Sequence, residues 1–348
     1  MKVGIHYEPN YNFSVRFLRY ENILKFNRIE ATRISSNDSD FLEKAKLLDA
    51  IVWYVGLADV SKQPFYDMLP VLENELNVNC FPSYKAVWSF DNKLRQIHQM
   101  NALGFPIVKS WVAYEKDVAF DLIENVTYPV IFKLSSGAGS LNVVKLNSKK
   151  EAKPLVKRMF SKGVQVNYMP NSLGKNFIDD LWKFLAKIKA KLKNKKVHYT
   201  DQIKNWKKQS NYLLLQEYLP NNNFDTRVTT IGNRAFSFRR FNRHGDFRSS
   251  GSGLIDYNVE EIDLRCVKKA LEISKHFQFE TMAYDFLFDK ENRPVFCEYS
   301  YGYSDEAVFK CEGYWDENLN FVKGNYWPQY FHLMDLLDLP NLQQPDSL

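Results

Sequence analysis

The stretch MAYDFLFDKENRPVFCEYS (282–300) places two acids, Asp285 and Glu298, inside two apolar segments that flank a turn. If the segments pair as a β-hairpin with Phe288 opposite Val295, Asp285 lies opposite Glu298, with their Cβ atoms about 4.5–5.5 Å apart. Two buried carboxylates at that separation repel, so a shared proton, a basic partner or a divalent cation has to neutralise them. Oxygen ligands without neighbouring His or Cys favour magnesium over zinc. The alternative is a partly solvated sheet face that carries both acids without a ligand.

A lysine and a glycine-containing loop follow one another in YPVIFKLSSGAGSLNV (128–143). Lys133 ends an apolar run, and Gly137 and Gly139 let backbone N–H groups approach phosphate oxygens closely. A second lysine, Lys93 in FDNKLRQIHQM, falls in the first turn of a predicted helix, where it fits an anionic ligand or is simply solvated. The pattern is neither a Walker motif nor a dinucleotide-binding fingerprint. A plain hairpin with a Ser/Gly turn explains the loop equally well.

Three arginines, Arg227, Arg240 and Arg248, fall close together in DTRVTTIGNRAFSFRRFNRHGDFRSSGSG (225–253), on or beside predicted strands. The planar guanidinium suits phosphate and carboxylate groups, and a transferring phosphoryl group needs such positive groups together with magnesium. The SSGSG segment adds backbone donors and small hydroxyls. The alternative is an arginine-rich sheet face whose arginines are paired with acids.

The elements that must position these residues begin with a small α/β unit. MKVGIHY and DAIVWYV (49–55) predict short strands, with a helix around 17–26 between them, and the unit ends near Pro82. The overall fold class is therefore α/β, with α+β character in the remainder of the chain.

Further helices and strands frame the motifs. A helix is predicted from 92 to 103 with Asp91 as its N-cap, then a strand–loop–strand segment and a helix over 149–162. From Leu213 the pattern becomes β-rich, in LLLQEYL, FDTRVTTIG and AFSFRRFN. A helix around 264–276 separates these strands from the acidic hairpin.

Composition is that of a globular protein, with 45% hydrophobic, 15% aromatic and 25% charged residues. The opening residues lack the apolar segment of a signal peptide, and no run reaches the ~18 apolar residues of a membrane span. The four cysteines lack CxxC spacing. We therefore expect a cytoplasmic protein with reduced thiols.

The net charge of +6 comes from one segment. Residues 175–208 contain eleven Lys and three Asp, a net of +8, which leaves the remainder of the chain near −2. Within this segment, 176–196 carries apolar residues at helical spacing. It predicts an insertion packed on a central domain, or a basic amphipathic helix that contacts an anionic membrane or an acidic glycan. Because the charge is local, we do not expect a nucleic-acid partner.

Taken in order, these motifs resemble the ATP-grasp superfamily, and most closely the branch of the ribosomal-protein glutamate ligases. The match runs over residues 91–302: DNK, PVIFK with its Ser/Gly loop, LQEYLPNNNFDTR, RRFNRHGDFRSSGSG, and YDFLF with PVFCEYS. The segments DFRSSGSG and GYWD (313–316) also resemble a bacterial subgroup associated with surface-polysaccharide loci.

The resemblance implies three domains. An N-terminal α/β pre-ATP-grasp domain would cover 1–88. A central ATP-grasp subdomain would cover 89–218, with the Lys-rich insertion at 171–208. A C-terminal subdomain over 219–348 would hold the metal and substrate site, and the last two subdomains would sandwich ATP.

The resemblance also implies a role for each matching residue. Lys93 and Lys133 would contact ATP phosphates, the backbone of Gln216–Leu219 would read adenine, and Asp225 would meet the ribose or the hinge network. The residues that would bind ATP are Lys93, Lys133, Ser136, Gly137, Gln216, Glu217, Tyr218, Leu219, Asp225, Ser249 and Ser250. Magnesium, or manganese, would be held by Asp285, Glu298 and Ser300. Arg227, Arg240 and Arg248 would stabilise the acyl phosphate and its transition state.

Two positions depart from the family pattern. The family usually has Asn two residues after the metal-binding Glu, where this chain has Ser300, opposite Ala283 in the predicted register. The Asn usual after GDFRS is Ser250. The shorter arm of Ser300 weakens its hold on a second magnesium ion.

The function that the resemblance implies is an ATP-dependent ligase, in which ATP phosphorylates a carboxylate and an amine then displaces phosphate. A uronic-acid-bearing glycan precursor is the expected substrate, and a peptide or small amino acid is the alternative. Relatives are commonly dimers or tetramers, so a homo-oligomer is expected. Two rival functions are a degenerate ATP-binding regulatory module, which Ser300 favours, and phosphoryl transfer to a hydroxyl.

Overall fold

The computed structural model describes residues 1–7, 15–56, 58–137, 142–166 and 207–345. The basic segment 176–196, and most of the predicted insertion 171–208, lie outside the described residues. The chain forms two compact units. The first unit comprises Met1–Gly56, Ser61–Phe90 and Asn222–Leu348, and the second comprises Leu57–Val60 and Asp91–Asn221. The predicted boundaries after residues 88 and 218 lie near the ends of the second unit, and the division into three domains stays a prediction.

The N-terminal part of the first unit is a parallel sheet with the strand order β2-β1-β3-β4. Its elements are β1 Lys2–His6, α1 Val15–Phe26, β2 Glu30–Ile34, α2 Phe41–Ala45, β3 Ala50–Val52, α3 Asp59–Asn74, β4 Asn79–Phe81 and α4 Tyr84–Val87. Val3, Ile5 and Val52 pack with apolar side chains of α1 because alternate strand positions face one side of the sheet. The predicted strand–helix–strand unit is present.

The second unit has a four-stranded sheet with the order β5-β10-β6-β7 and a separate two-stranded ladder, β8-β9. Its elements are α5 Lys93–Ala102, β5 Ser110–Ala113, α6 Lys116–Asn125, β6 Val130–Phe132, β7 Val144–Leu146, α7 Lys149–Met159, β8 Val164–Gln165, β9 Lys208–Gln209 and β10 Leu213–Glu217. Helices α6 and α7 bury Ala119, Ile123, Ala152 and Val156.

The start of α5 differs from the prediction. Asn92 is the N-cap, and its side-chain oxygen accepts a hydrogen bond from the backbone N–H of Arg95 at 3.1 Å. Asp91, the predicted cap, lies one residue earlier in the left-handed region, with φ at 47°. Both residue types are strong caps, so the sequence alone did not distinguish them.

The C-terminal part of the first unit is a seven-stranded sheet with the order β15-β14-β11-β12-β16-β17, in which β13 also pairs with β12. Its elements are β11 Phe224–Ile231, β12 Arg234–Phe241, β13 Ile255–Asp256, α8 Leu264–Phe277, β14 Thr281–Phe288, β15 Pro294–Ser300, α9 Asp305–Phe309, β16 Gly313–Trp315, β17 Phe321–Lys323 and α10 Pro328–Leu336. Helix α8 buries Val267, Ala270 and Ile273, and Ser274 bonds to Thr230 and Tyr284 on the sheet.

Helix α10 joins the two parts of the first unit. Leu333 belongs to the core of the N-terminal sheet and Phe331 to the core of the larger sheet. Between them, the buried ring of His332 bonds to the hydroxyls of Tyr20 at 2.7 Å and Tyr303 at 2.8 Å. The larger sheet is thus fixed to the N-terminal sheet through apolar and polar contacts.

The described residues also bear on the expectations for membrane spans and cysteines. None of their helices is long and apolar enough to cross a membrane. The four cysteines are free thiols, and only Cys297 is more than slightly exposed.

Candidate functional site

The acidic hairpin is built with an irregularity that sequence analysis missed. At its turn, Phe288 pairs with Pro294 rather than with Val295. The register then shifts by one residue, and from that point Asp285 faces Glu298 as predicted.

A β-bulge at Cys297 produces this shift, because it places an extra residue in β15. Phe296 and Tyr299 are three positions apart, yet both are buried. A regular strand would point them to opposite faces. The bulge lets both rings enter the core while Glu298 stays on the face of Asp285.

Asp285 is 2% exposed and is held by two arginines. Arg227, directly opposite it on β11, donates from Nε at 2.7 Å and from Nη2 at 2.8 Å. The Nη2 atom of Arg240 lies 2.7 Å from Oδ2 of the same carboxylate. Burial alone would raise the pKa of Asp285, but the charges and hydrogen bonds of Arg227 and Arg240 outweigh it and hold that pKa well below its usual value.

Arg240 is shared with a second acid, Asp225, which lies opposite it on β11. Two hydrogen bonds of 2.7 Å join the guanidinium to this carboxylate. Burial raises the pKa of Asp225, and the nearby Asp285 charge adds to the effect, although Arg240 opposes both. Two acids and two arginines therefore form one network, buried except for the partly exposed Arg227, and its formal charges balance.

Glu298 and Ser300 extend this face along β15, and both are partly buried. The Ser300 hydroxyl donates to the carbonyl of Gly302 at 3.1 Å and accepts from the N–H of Gly302 at 3.0 Å. Three N–H groups are directed at the Asp285 carboxylate, which has about four acceptor positions. Asp285 and Glu298 thus offer carboxylate oxygens, which are ligands that suit magnesium. The Ser300 hydroxyl instead uses its hydrogen bonds to fix the turn at Gly302.

A cluster of three or more His, Cys, Asp or Glu in position to hold a metal does not occur in the described part of the chain. A magnesium ion bound here would therefore need oxygen atoms from its ligand or from water besides Asp285 and Glu298.

Arg248 makes a local pair instead. Its guanidinium bonds to Asp246, two residues earlier, at 2.6 and 2.9 Å. In the same loop, Ser249 donates to Asn242 at 2.5 Å, and the carbonyl of Ser250 accepts from Arg243 at 2.8 Å. The alternative of arginines paired with acids describes Arg248 in this structure, and it describes Arg227 and Arg240 as well.

Lys133 lies in the second unit, directly after β6, and its backbone N–H continues the sheet by bonding to Leu214 at 3.3 Å. Its side chain is 8% exposed. Within the described ranges, its ammonium group has no hydrogen-bond or ion-pair partner. A lysine so largely enclosed by protein, with no acid beside its ammonium group in the described residues, favours an anionic ligand.

The loop after Lys133 is held by polar side chains. The N–H of Gly137 donates to Asp91 Oδ1 at 2.7 Å, and the carbonyl of Gly137 accepts from the Lys93 ammonium at 3.0 Å. The N–H of Ser135 donates to the hydroxyl of Tyr212 at 2.7 Å and to Gln209 Oε1 at 2.9 Å.

Gln209 also contacts the next residue of the loop. Its Nε2 atom donates to the hydroxyl of Ser136 at 2.5 Å. Sequence analysis missed Gln209 and Tyr212, which lie more than 70 positions beyond the loop and follow no recognisable motif.

The segment Gln216–Leu219 begins in β10, an interior strand of the same sheet. Gln216 is buried and donates to Ser110 Oγ at 3.2 Å, and the N–H of Glu217 bonds to Lys109 at 2.8 Å. The ammonium of Lys145 lies 3.7 Å from the centre of the Tyr218 ring.

Lys145 is a further residue that sequence analysis missed. Lys145 and Gln216 both lie opposite Ile131, so they share a sheet face with Lys133, two residues further along. The signal was a lysine at an alternate position of the apolar strand NVVKL, next to the loop.

The predicted site residues fall into two groups. The second unit contains Lys93, Lys133, Ser136, Gly137, Gln216, Glu217, Tyr218 and Leu219. The first unit contains Asp225, Arg227, Arg240, Arg248, Ser249, Ser250, Asp285, Glu298 and Ser300.

No family model matches the chain, and no curated protein matches its sequence. Solved structures do match its fold. D-alanine–D-alanine ligase from Bacillus anthracis, complexed with ATP, has a TM-score of 0.52 at 14% identity and covers 86% of each chain. The RimK domain protein ATP-grasp from Sphaerobacter thermophilus has a TM-score of 0.50 at 11% identity, over 86% of this chain and 90% of the other.

This chain has the ATP-grasp fold. N5-carboxyaminoimidazole synthase from Aspergillus clavatus, in complex with ADP and 5-aminoimidazole ribonucleotide, is also similar, with a TM-score of 0.57 at 11% identity over 97% of this chain and 77% of that one. The predicted fold class is confirmed. At these identities the similarity concerns the ATP-grasp fold alone, so the closer relation to ribosomal-protein glutamate ligases stays a prediction.

Proposed function

We propose that the protein is an ATP-dependent ligase that joins a carboxylate to an amine through an acyl phosphate. The observation that supports this most strongly is the buried network of Asp225, Arg227, Arg240 and Asp285, with Glu298 beside it on the same sheet face. Phosphoryl transfer depends chiefly on positioning and on positive charge near the transferring group. Two arginines held by acids place their guanidinium groups at fixed positions, and a bound metal ion would add net positive charge beside them.

The second unit would bind the polyphosphate and the base of ATP. The ammonium of Lys133 gains a counter-charge when a phosphate binds, which is the physical reason for assigning it this role. Lys93 and the loop at Ser136 and Gly137 add a second ammonium and backbone N–H donors. The backbone of Gln216–Leu219 would bind adenine.

The chemistry proposed has two steps. In the first, a substrate carboxylate oxygen attacks the γ-phosphorus of ATP, the bond to the β–γ bridging oxygen breaks, and ADP leaves. In the second, the amine attacks the acyl carbon, the carbon–oxygen bond to phosphate breaks, and inorganic phosphate leaves as the nitrogen loses a proton. Arg227 and Arg240 would stabilise the charge on the phosphoryl oxygens.

Asp285 and Glu298 would hold magnesium or manganese, which supplies positive charge to phosphate oxygens. Ser300 was predicted as a third ligand, but its hydrogen bonds to Gly302 argue against that role.

The same observation on Ser300 favours one alternative, a degenerate ATP-binding module that regulates a partner. The two activities differ in their products. A ligase releases ADP and phosphate only with a suitable carboxylate and amine, whereas the module binds ATP without turnover. Phosphoryl transfer to a hydroxyl would instead leave a stable phosphoester that phosphorus NMR identifies.

The substrate proposed from the sequence resemblance is a uronic-acid-bearing glycan precursor, with a peptide or small amino acid as the alternative. A screen of carboxylate and amine pairs, monitored by phosphate release with ATP and magnesium, tests the function. Pair-dependent release supports the ligase. ATP binding without release from any pair supports the regulatory module.

A further inference from the structure

The loop proposed to bind phosphate already has acceptors on its backbone N–H groups. Ser135 donates to Tyr212 and Gln209, and Gly137 donates to the carboxylate of Asp91. Ser136 lies 3.4 Å from the same Gln209 oxygen. Oxygen atoms of the protein therefore lie where a phosphate-binding loop offers its donors to a ligand.

Asp91 is notable because helix capping does not require it. Asn92 performs that function for α5. Asp91 has a positive φ of 47°, which is uncommon outside glycine, and its carboxylate lies 2.7 Å from the N–H of Gly137. A carboxylate bonded to a glycine N–H beside a helix N-terminus reproduces the charge and hydrogen bonding of a phosphate oxygen.

Gln209 reaches the loop from the β8–β9 ladder, where it pairs with Val164. Its carboxamide oxygen also accepts from the Tyr212 hydroxyl. The same side chain donates to Ser136, so it binds the loop through both ends of the amide. These contacts join the loop to the two strands that border residues 166–207 in the sequence.

Lys93 completes the arrangement. Its ammonium donates to the carbonyl of Gly137, and its backbone N–H donates to the carbonyl of Ser135 at 2.9 Å. In this conformation both backbone polar groups of Gly137 are bonded, the N–H to Asp91 and the carbonyl to Lys93.

We infer that Asp91 and Gln209 are internal competitors of the nucleotide phosphates. They satisfy the loop N–H groups when no nucleotide is bound, and phosphate oxygens replace them when ATP binds. The affinity for ATP is then set by an exchange of acceptors, since the energy of the internal hydrogen bonds is subtracted from that of the new ones. This inference rests on the proposed function, in that the loop must bind phosphate.

The exchange predicts an unusual pair of effects for Gln209→Met, which keeps the side-chain size and adds no charge. The nucleotide-free protein loses hydrogen bonds and unfolds at a lower temperature. The ATP-bound protein has already replaced those bonds, so its unfolding temperature at saturating ATP stays that of the wild type. ATP binds about tenfold more tightly, the size expected when the loop N–H groups lose one of the acceptors that they have in the free state.

Tyr212→Phe is the second variant, and it removes one acceptor from the N–H of Ser135 while keeping the ring. It should change both quantities in the same directions as Gln209→Met. Gln63→Met is the matched control, because among the described residues Gln63 bonds to Asp67 on the exposed surface of α3, away from the loop, and it should change neither quantity. Calorimetric titration with magnesium–ATP and thermal unfolding with and without ATP give the readouts.

A role in positioning the loop would give the opposite result, with weaker ATP binding and a lower unfolding temperature in both states. Unchanged or weaker binding by Gln209→Met and Tyr212→Phe, with normal binding by the wild type, overturns this inference alone. If neither the wild type nor any variant binds ATP, the proposed function and this inference both fail.

Discussion

Asp285 and Glu298 lie directly opposite each other on adjacent strands, although a β-bulge at Cys297 separates them from the turn that joins those strands. The bulge allows β15 to satisfy two structural requirements at once. Phe296 and Tyr299 both have to enter the core, and Glu298 has to stay on the face that carries Asp285 and the two arginines. The pairing of the acids is thus maintained by an irregular backbone.

The first prediction concerns Glu298→Gln. The amide keeps the size of the side chain and one oxygen but removes the charge that would attract a divalent cation. Turnover of ATP should fall about 100-fold, equivalent to about 2.7 kcal/mol, with little change in unfolding temperature. Glu291→Gln, at the exposed turn of the same hairpin, should retain full activity. Equal activity in both variants would contradict the metal role.

The second prediction separates Arg240 from Arg248. Arg240→Met leaves Asp225 and Asp285 buried beside an apolar side chain, so the free energy of unfolding should fall by about 3–5 kcal/mol. Arg248→Met removes a local pair with Asp246 and should cost no more than about 1 kcal/mol. Urea unfolding measures both. Comparable losses would mean that the buried network does not stabilise the sheet as described.

The activity of Arg248→Met is informative in its own right. If Arg248 stabilises the transition state, this folded variant should lose ATP turnover while keeping its affinity for ATP. Unchanged turnover would remove Arg248 from the catalytic residues.

The third prediction concerns Lys133→Met. Because Lys133 is largely enclosed and its ammonium has no partner among the described residues, Met should leave the nucleotide-free protein as stable as the wild type, within about 1 kcal/mol. The affinity for ATP should fall by at least about tenfold, as one charge contact to phosphate is lost. Lys150→Met, on the exposed side of α7, is the control. A less stable nucleotide-free protein would show that Lys133 serves the fold.

The fourth prediction is a pH dependence of stability that arises from Glu73. Burial raises the pKa of Glu73 from 4.5 to about 7; a hydrogen bond from the N–H of Tyr84 opposes the shift, and the Glu280 charge adds to it. The folded protein therefore binds a proton more tightly than the unfolded chain. The resulting stabilisation is complete below the unfolded pKa of 4.5 and is lost as the pH rises to about 7.

Glu73→Gln mimics the protonated acid and keeps an acceptor for Tyr84. It should flatten this part of the curve and should be more stable than the wild type above about pH 7. Urea unfolding between about pH 5 and about pH 8 measures the difference. Glu75→Gln, exposed on the surface, should follow the wild-type curve. An unaltered slope in Glu73→Gln would rule out Glu73 as the source.

Much of the fold was predictable because its signals are local. Alternating apolar residues and the helix between them revealed β1, α1 and β3, and the ordered motifs indicated the ATP-grasp fold. The opposition of Asp285 and Glu298 was also predicted. The register at the turn was wrong by one residue, because the bulge depends on which aromatic rings the core accepts. The spacing of Phe296 and Tyr299 was the signal for it.

The remaining errors and omissions have two causes. Some contacts join residues that are far apart in the sequence, and some neighbouring residues suit the same position equally well. Gln209 lies 74 positions from Ser135, and no local pattern indicates that they meet. Asp91 and Asn92 are equally good caps, and only the backbone geometry selects Asn92. The sequence also did not reveal that Arg227 and Arg240 bind acids of the protein. Their partners depend on the register of three strands, which the sequence does not determine.

The proposed ligase reaction is tested most directly by trapping its acyl phosphate. Hydroxylamine is a general amine nucleophile that converts an acyl phosphate to a hydroxamate. The protein is incubated with ATP, magnesium, hydroxylamine and a panel of uronic acids, peptides and amino acids, and hydroxamate and ADP are measured together. The ligase mechanism predicts equal amounts of both with a particular carboxylate, and about 100-fold less of each with Glu298→Gln. ADP without hydroxamate, or no ADP with any carboxylate, would contradict it.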